Sequence, residues 1–215
     1  MLMAAVALLA LQEDAEAVFK KFETRYSEAK AVSVKLKLVV VEEGRLTPAA
    51  SGDGRIRYKA GDKCALRMAF KEGGDHRIDF TSDGTWAVKS TEDPARPKKA
   101  QSGMTRFLSA SLTRGGFALM LLIEKRSKEP PDPSVSMKVS GFTMDQDGPD
   151  RVLGYTLTAQ GFGDVPVKLW LTPGLVPTKR VLRVKNGDKQ GVITETYEEV
   201  STDDIPDVDF EVKPP

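Results

Sequence analysis

His76 is the only histidine and Cys64 the only cysteine of the chain, so chemistry that needs several imidazoles or thiolates is limited by count alone. One histidine cannot assemble the usual imidazole metal site. One cysteine allows no intramolecular disulfide, no Cys-x-x-Cys and no thiolate cage. Cys64 lies in the alternating run Cys64, Leu66, Met68, Phe70 and reads as a buried small hydrophobe; as a nucleophile it would have only His76 for a base. Asp145-x-Asp147-Gly148 matches the opening of a calcium loop, but the third acidic or amide position is missing. Thr156 also stands where a bidentate glutamate is needed, so a turn between two strands is expected there. Ser27-Glu28-Ala29-Lys30 fits Ser-x-x-Lys without the companion motifs of a penicillin-binding site. Gly73-Gly74 and Gly115-Gly116 match neither the phosphate-loop nor the dinucleotide pattern. Asp203, Asp204, Asp207 and Asp209 crowd a terminal segment rather than facing each other across a cleft, and read as a solvated acidic tail. No catalytic residue, no metal ligand set and no cofactor is assigned, and the chain is expected not to be an enzyme.

The elements that would position any site follow from composition and periodicity. A chain of 215 residues with 40% hydrophobic and 29% charged residues suits a globular protein, and an all-β unit of this size is commonly one domain. The formal net charge of +1, with basic and acidic residues interleaved, argues against a nucleic-acid partner. The basic cluster Arg96, Lys98, Lys99 sits in a proline-rich stretch and reads as a solvated loop.

The stretch Val167 to Val200 is the most informative. Val167, Leu169 and Leu171 form one row and Lys168 and Trp170 the other. After Pro173-Gly174 come Val181, Leu182 and Val184, then a turn at Asn186-Gly187-Asp188, then a polar strand through Glu195, Tyr197 and Glu199. Alternation around an Asn-Gly turn is a strong hairpin signal, and the polarity requires one wet face. Whether the Leu169 row or the Trp170 row is dry stays open at this point. Upstream, Glu13 to Lys30 has helical spacing through Ala17, Val18, Phe22 and Tyr26. From Ala31 the period is two, with Val32, Val34, Leu36, Leu38 and Val40 on one side. Short strands follow at Gly52 to Ala60, Lys63 to Lys71, His76 to Phe80 and Thr85 to Ser90, the last with Trp86 and Val88 on one face. Turn residues separate them, as in an antiparallel meander.

Met104 to Arg126 is a helical insert. Phe107, Leu108, Ala110 and Leu112 form a short helix, Gly115-Gly116 breaks it, and Phe117 to Arg126 form a second apolar helix ending in Lys125 and Arg126. Strands resume from Val135 to Met144 and Val152 to Gln160. The tail ends in Phe210 and Val212, which are expected to dock on the sheet. Helix, strands, helical pair, strands is not the alternation of a parallel sheet. It predicts a mainly β (α+β) chain: a single large curved antiparallel sheet with helices gathered on one face.

Met1 to Leu11 is an apolar run of signal-peptide length, too short to span a bilayer, and Ala15-Glu16-Ala17 has the small-x-small form of a cleavage site. The basic segment that usually precedes such a run is missing. Residues 1–17 are read as a signal peptide and 18–215 as the half-barrel domain, which places the protein in the periplasm or otherwise outside the cytoplasm.

A helix runs into Ala31 to Val41, Gly52-x-Gly54 precedes Arg55 to Lys59, and Ser82-Asp83-Gly84 precedes an aromatic strand. Leu169-Trp170-Leu171, Val176-Pro177, Glu195-x-Tyr197, Ile205-Pro206 and Phe210 to Pro214 follow. In these stretches the chain resembles the LolA/LolB-like family of periplasmic lipoprotein carriers and outer-membrane lipoprotein-sorting proteins. The resemblance implies an incomplete barrel with helices packed on its concave face as a lid over an apolar cavity. That cavity takes lipoprotein acyl chains or a lipid, in a monomer that also meets envelope membrane proteins. Alternation then suggests Val34, Leu36, Met68, Phe70, Ile78, Phe80, Phe107, Leu119 and Leu122 as cavity lining. In the carriers a Lys-Arg-Pro follows the Gly-x-Gly strand and its arginine tethers the lid; here Lys59 is followed by Ala60 and Gly61, and Arg57 is the available substitute. The alternative reading is an envelope sensor or protein-interaction domain on the same fold with a closed cavity.

Overall fold

Strands form where the period is two. The computed structural model describes residues 14–42, 49–71, 75–89, 96–119, 137–159, 163–186 and 189–213; residues 1–13, with most of the expected signal peptide, and Leu122 lie outside them. In chain order the elements are α1 (Ala15–Ser27), β1 (Ala31–Glu42), β2 (Ala50–Lys59), β3 (Lys63–Lys71), β4 (Asp75–Asp83), β5 (Trp86–Lys89) and β6 (Lys98–Lys99). Then come α2 (Met104–Ala110), a π-helical turn (Ser111–Gly115), β7 (Met137–Asp147), β8 (Asp150–Ala159), β9 (Gly163–Leu171), β10 (Pro177–Asn186) and β11 (Lys189–Ser201).

The strands make one 11-stranded sheet in the order β6-β5-β4-β3-β2-β1-β11-β10-β9-β8-β7, and the paired strands are antiparallel. Two meanders are therefore fused side by side through β1 and β11, with the helical insert between them in sequence. The sheet does not close, because β6 and β7 stand at opposite ends of the order. This is the expected incomplete barrel. A sheet this wide buries one face by curling, and its inner rows, α1, α2 and the residues after the π turn share one core.

Alternation now decides which rows are dry. Val165, Val167, Leu169 and Leu171 are buried and Trp170 is not, so the Leu169 row faces inward. Trp170 packs outside, its Nε1 donating to Asp147 Oδ2 at 2.8 Å and its ring lying 4.8 Å from Lys179 Nζ. In β5 the row that joins the core side is Ala87, opposite buried Ser82, while Trp86 and Val88 are only half-buried on the other face. Helix α1 buries Val18, Phe19, Phe22 and Tyr26, one stripe at helical spacing. It docks on the β7–β8 side, where the Phe19 ring sits 4.9 Å from Phe142 and 5.2 Å from Tyr155.

The Gly52-x-Gly54 pattern has a packing cause. Both glycines belong to the inner row of β2, opposite Phe70 and Met68. A Cβ at Gly52 would lie 2.7 Å from the Phe70 ring, and one at Gly54 would lie 2.3 Å from Met68 Sδ and from the Arg67 carbonyl oxygen. Leaving out two side chains lets Met68 and Phe70 lie across the strand.

The tail docks on the sheet through Phe210, as expected, and its acidic residues are paired as well as solvated: it is strapped over the outer face of β2 and β3. Arg57 Nη1 reaches Asp209 Oδ2 at 2.8 Å, Lys59 Nζ reaches Asp204 at 2.9 Å and Asp207 at 3.1 Å, and Lys63 Nζ reaches Asp207 at 2.7 Å. Ile205 and Phe210 fill a small apolar cluster with Ala31 and Ala65 beneath it. Exposed ion pairs contribute little singly, so the buried Phe210 ring is the principal anchor. Arg57 is thereby committed to the tail and does not tether the insert.

Substituting Gly54 with alanine pushes a methyl into backbone as well as side chain. Urea denaturation is expected to show a loss of about 1–3 kcal/mol, the usual cost of overpacking, while Gly61→Ala, where a Cβ meets nothing within 4 Å but φ is +84°, tests strain without a clash.

Candidate functional site

The residues expected to line a cavity separate into two groups. Val34 and Leu36 on β1, Met68 on β3, Phe107 on α2 and Leu119 beyond the glycine pair are buried in the central core. Phe70, Ile78 and Phe80 are half-buried and pack against that core, together with Val40 and Val184. The inner apolar rows thus run from a fully buried part to a half-buried part. Clefts of about 550 Å³ beside α1 and about 210 Å³ under the tail are lined by other residues.

What fixes the insert is polar. Arg180 on β10 and Glu195 on β11 are directly opposite in register and both 0% exposed, with Nη1 3.6 Å from Oε2. Arg180 Nη1 donates to the Ser111 carbonyl at 3.1 Å and Nη2 donates to the Leu112 carbonyl. Glu195 Oε1 accepts the Ala118 N–H at 2.7 Å, and Oε2 accepts the Tyr197 hydroxyl. Burial holds the Tyr197 hydroxyl well above its ordinary pKa, so it remains a donor. The cation therefore faces the Leu112 carbonyl and shares the Ser111 carbonyl with the Gly116 N–H, and the carboxylate faces an N–H where the chain becomes helical again at residues 117–119. Each charge complements the partial charge of the helix end it meets.

Gly115-Gly116 is the hinge of this arrangement. Gly116 has φ +77°, and a Cβ there would stand 2.9 Å from both Glu195 carboxylate oxygens; a Cβ at Gly115 would stand 2.7 Å from Met137 Sδ. Side-chain contacts complete the docking. Arg114 Nε donates to Glu23 Oε1 of α1 at 2.5 Å and Nη1 donates to the Met137 carbonyl at 2.9 Å, and the Tyr155 hydroxyl donates to the Arg114 carbonyl at 2.6 Å. At the start of α2, Gly103 offers no capping side chain. Asp62, in the β2–β3 turn with φ +57°, takes that role by accepting the Gly103 and Thr105 N–H groups at 2.8 and 3.1 Å.

Arg180, Glu195, Asp62 and Tyr58 were not among the expected site residues. The signal for the first two is parity: Arg180 shares its row with Leu182 and Val184, and Glu195 shares its row with Ile193 and Tyr197. A charged residue on an apolar row of each hairpin strand marks a buried pair. The remaining candidates take structural places. Cys64 is buried, and Asp147 closes β7 before the Gly148 turn. Among the described residues no acidic, histidine or cysteine group could hold a metal ion, and no helix is long and apolar enough to cross a membrane.

Two outcomes follow. Arg180→Met leaves the buried Glu195 carboxylate without its counter-charge and the Leu112 carbonyl without its side-chain donor, and is expected to cost about 3–5 kcal/mol in chemical denaturation. The Cys64 thiol, pushed up to about 12 by burial and then by Asp62, is expected to resist iodoacetamide at neutral pH until the protein is unfolded.

No protein-family model matches the chain, and no curated protein matches it. Among solved structures it is similar to LprF from Mycobacterium bovis, with TM-score 0.43 and 11% identity over 88% of this chain and 96% of that one. It is also similar to the Mycobacterium tuberculosis lipoprotein LppX, with TM-score 0.38 and 12% identity over 88% of this chain and 100% of that one. A third is a LolA superfamily protein from Nitrosomonas europaea, with TM-score 0.37 and 8% identity over 92% of this chain and 97% of that one.

Proposed function

We propose that this chain is an exported, non-enzymatic carrier that shelters the acyl chains of a lipoprotein or lipid on the inner face of the half-barrel. Residues 1–17 would be removed on export and 18–215 would form the carrier. The observation that carries this reading is the incomplete cover of the inner apolar rows. Val34, Leu36 and Met68 are fully buried, whereas Phe70, Ile78, Phe80, Val40 and Val184 continue those rows and remain half-exposed. An acyl chain laid along them would gain about 0.8 kcal/mol per buried methylene, so a long chain suffices for firm retention. The family resemblance of the sequence supports the same reading.

A different observation favours a second reading, an envelope sensor or protein-interaction domain with a closed cavity. Val34, Leu36, Met68, Phe107 and Leu119 already fill the centre with their own side chains. The two readings separate on whether purified protein carries lipid.

Mass spectrometry of an organic extract from the purified protein is expected to reveal a bound lipid, and a fluorescent fatty acid should compete for its place. Ile78→Glu is expected to abolish uptake while the protein stays folded, because the side chain is only half-buried. Leu122→Glu, in the part of the insert beyond the described residues, should do the same if the second helix lines the site. Protein that is consistently lipid-free and refuses the fatty acid would overturn the carrier reading in favour of the second.

A further inference from the structure

At the other end of β2 from Gly52, α1, α2 and Tyr58 enclose a cleft of about 550 Å³, within the range of small-molecule sites. Its wall includes Tyr58, which is 1% exposed and whose hydroxyl makes no hydrogen bond of normal geometry, with the Ser109 side chain alongside it. A buried polar atom left unpartnered costs stability. The polar groups around it show what it lacks. Asp62 is spent on the Gly103 and Thr105 N–H groups, and Glu23 is spent on Arg114. The hydroxyl hydrogens of Thr105, Ser109 and Thr113 are spent on the carbonyls of Lys59, Tyr26 and Ser109. Their oxygens keep lone pairs that accept. Arg106, exposed at the rim, has no ion-pair partner among the described residues. After internal pairing the cleft therefore offers one unspent guanidinium, one orphaned phenol and several hydroxyl acceptors.

We propose that this cleft binds a small hydroxylated monoanion of the phosphoglycerol-diester kind. Its charge is met by Arg106, a phosphate oxygen or hydroxyl by Tyr58, and its hydroxyl hydrogens by Ser109 and Thr113. A free diester and the headgroup of a lipid present the same chemistry, and the site does not depend on where an acyl chain lies. Aromatic walls from Tyr26 and Tyr58 suit the carbon backbone of such a ligand.

Isothermal titration of the full chain with glycerophosphoglycerol and, separately, with monomeric dihexanoylphosphatidylglycerol tests this. Both are expected to bind saturably. Equal affinities identify the free diester as sufficient, and tighter binding of the acylated form identifies a lipid source. Tyr58→Phe and Arg106→Ala should each weaken binding about tenfold, the worth of one hydrogen bond to a charged group. Tyr58→Phe removes only an unpartnered oxygen, so this variant should melt no lower than the parent. Arg67→Ala, an exposed arginine outside the cleft, should leave binding unchanged. The proposal is overturned by the absence of saturable binding of both ligands in the millimolar range. It is equally overturned by binding that neither cleft variant alters, or that Arg67→Ala weakens as much as they do.

Discussion

The buried Arg180–Glu195 pair is the contact on which the docking of the insert depends. Taking a guanidinium and a carboxylate out of water costs several kcal/mol per ion, and their mutual attraction offsets this only when the remaining hydrogen-bonding groups are satisfied. Here the partners come from the backbone of the broken helix. Ser111 and Leu112 present carbonyls to the cation and Ala118 presents an N–H to the anion. Ser111 also accepts the Gly116 N–H within the π turn, so the Leu112 carbonyl and the Ala118 N–H are the groups that depend most on the pair. The ion pair and the helix break thus satisfy each other except at Arg180 Nε, which has no partner, and glycine at 116 lets the backbone lie against the carboxylate.

That contact also ties together parts of the chain that are distant in sequence. β11 carries Glu195 and pairs with β1, so the strand that fuses the two meanders is the one that holds the insert. Asp62 holds the start of α2 from the β2–β3 turn, and Arg114 joins the insert to α1 and β7. The insert is therefore pinned from both meanders. The tail binds the opposite face of β2 and β3 through Arg57, Lys59 and Lys63, which leaves the inner face to α1 and the insert.

The two regions with chemical potential lie at opposite ends of β2. Gly52 marks the half-covered apolar end and Tyr58 the polar cleft, roughly 20 Å apart along an extended strand. The sealed centre itself, built from Val34, Leu36, Met68 and Phe107, is where cavity lining was expected. Alternation identifies residues that face inward, but not whether a neighbour fills the space in front of them.

The sequence by itself determined the strands, the insert, the break at Gly115-Gly116 and the open antiparallel class, because periodicity and turn residues act locally along the chain. It also determined the absence of a multi-histidine or multi-cysteine centre, which is a matter of count. Only the tertiary structure decided that the Leu169 row is dry, since either row of an amphipathic strand can face a core until its partners are known. It alone decided that Asp204, Asp207 and Asp209 pair with Lys59, Lys63 and Arg57, and that Arg180 and Glu195 meet inside. Those pairings join residues far apart in the chain, and their stability comes from exclusion of water and the satisfaction of specific backbone groups. Neither quantity exists until the sheet has curled around the insert.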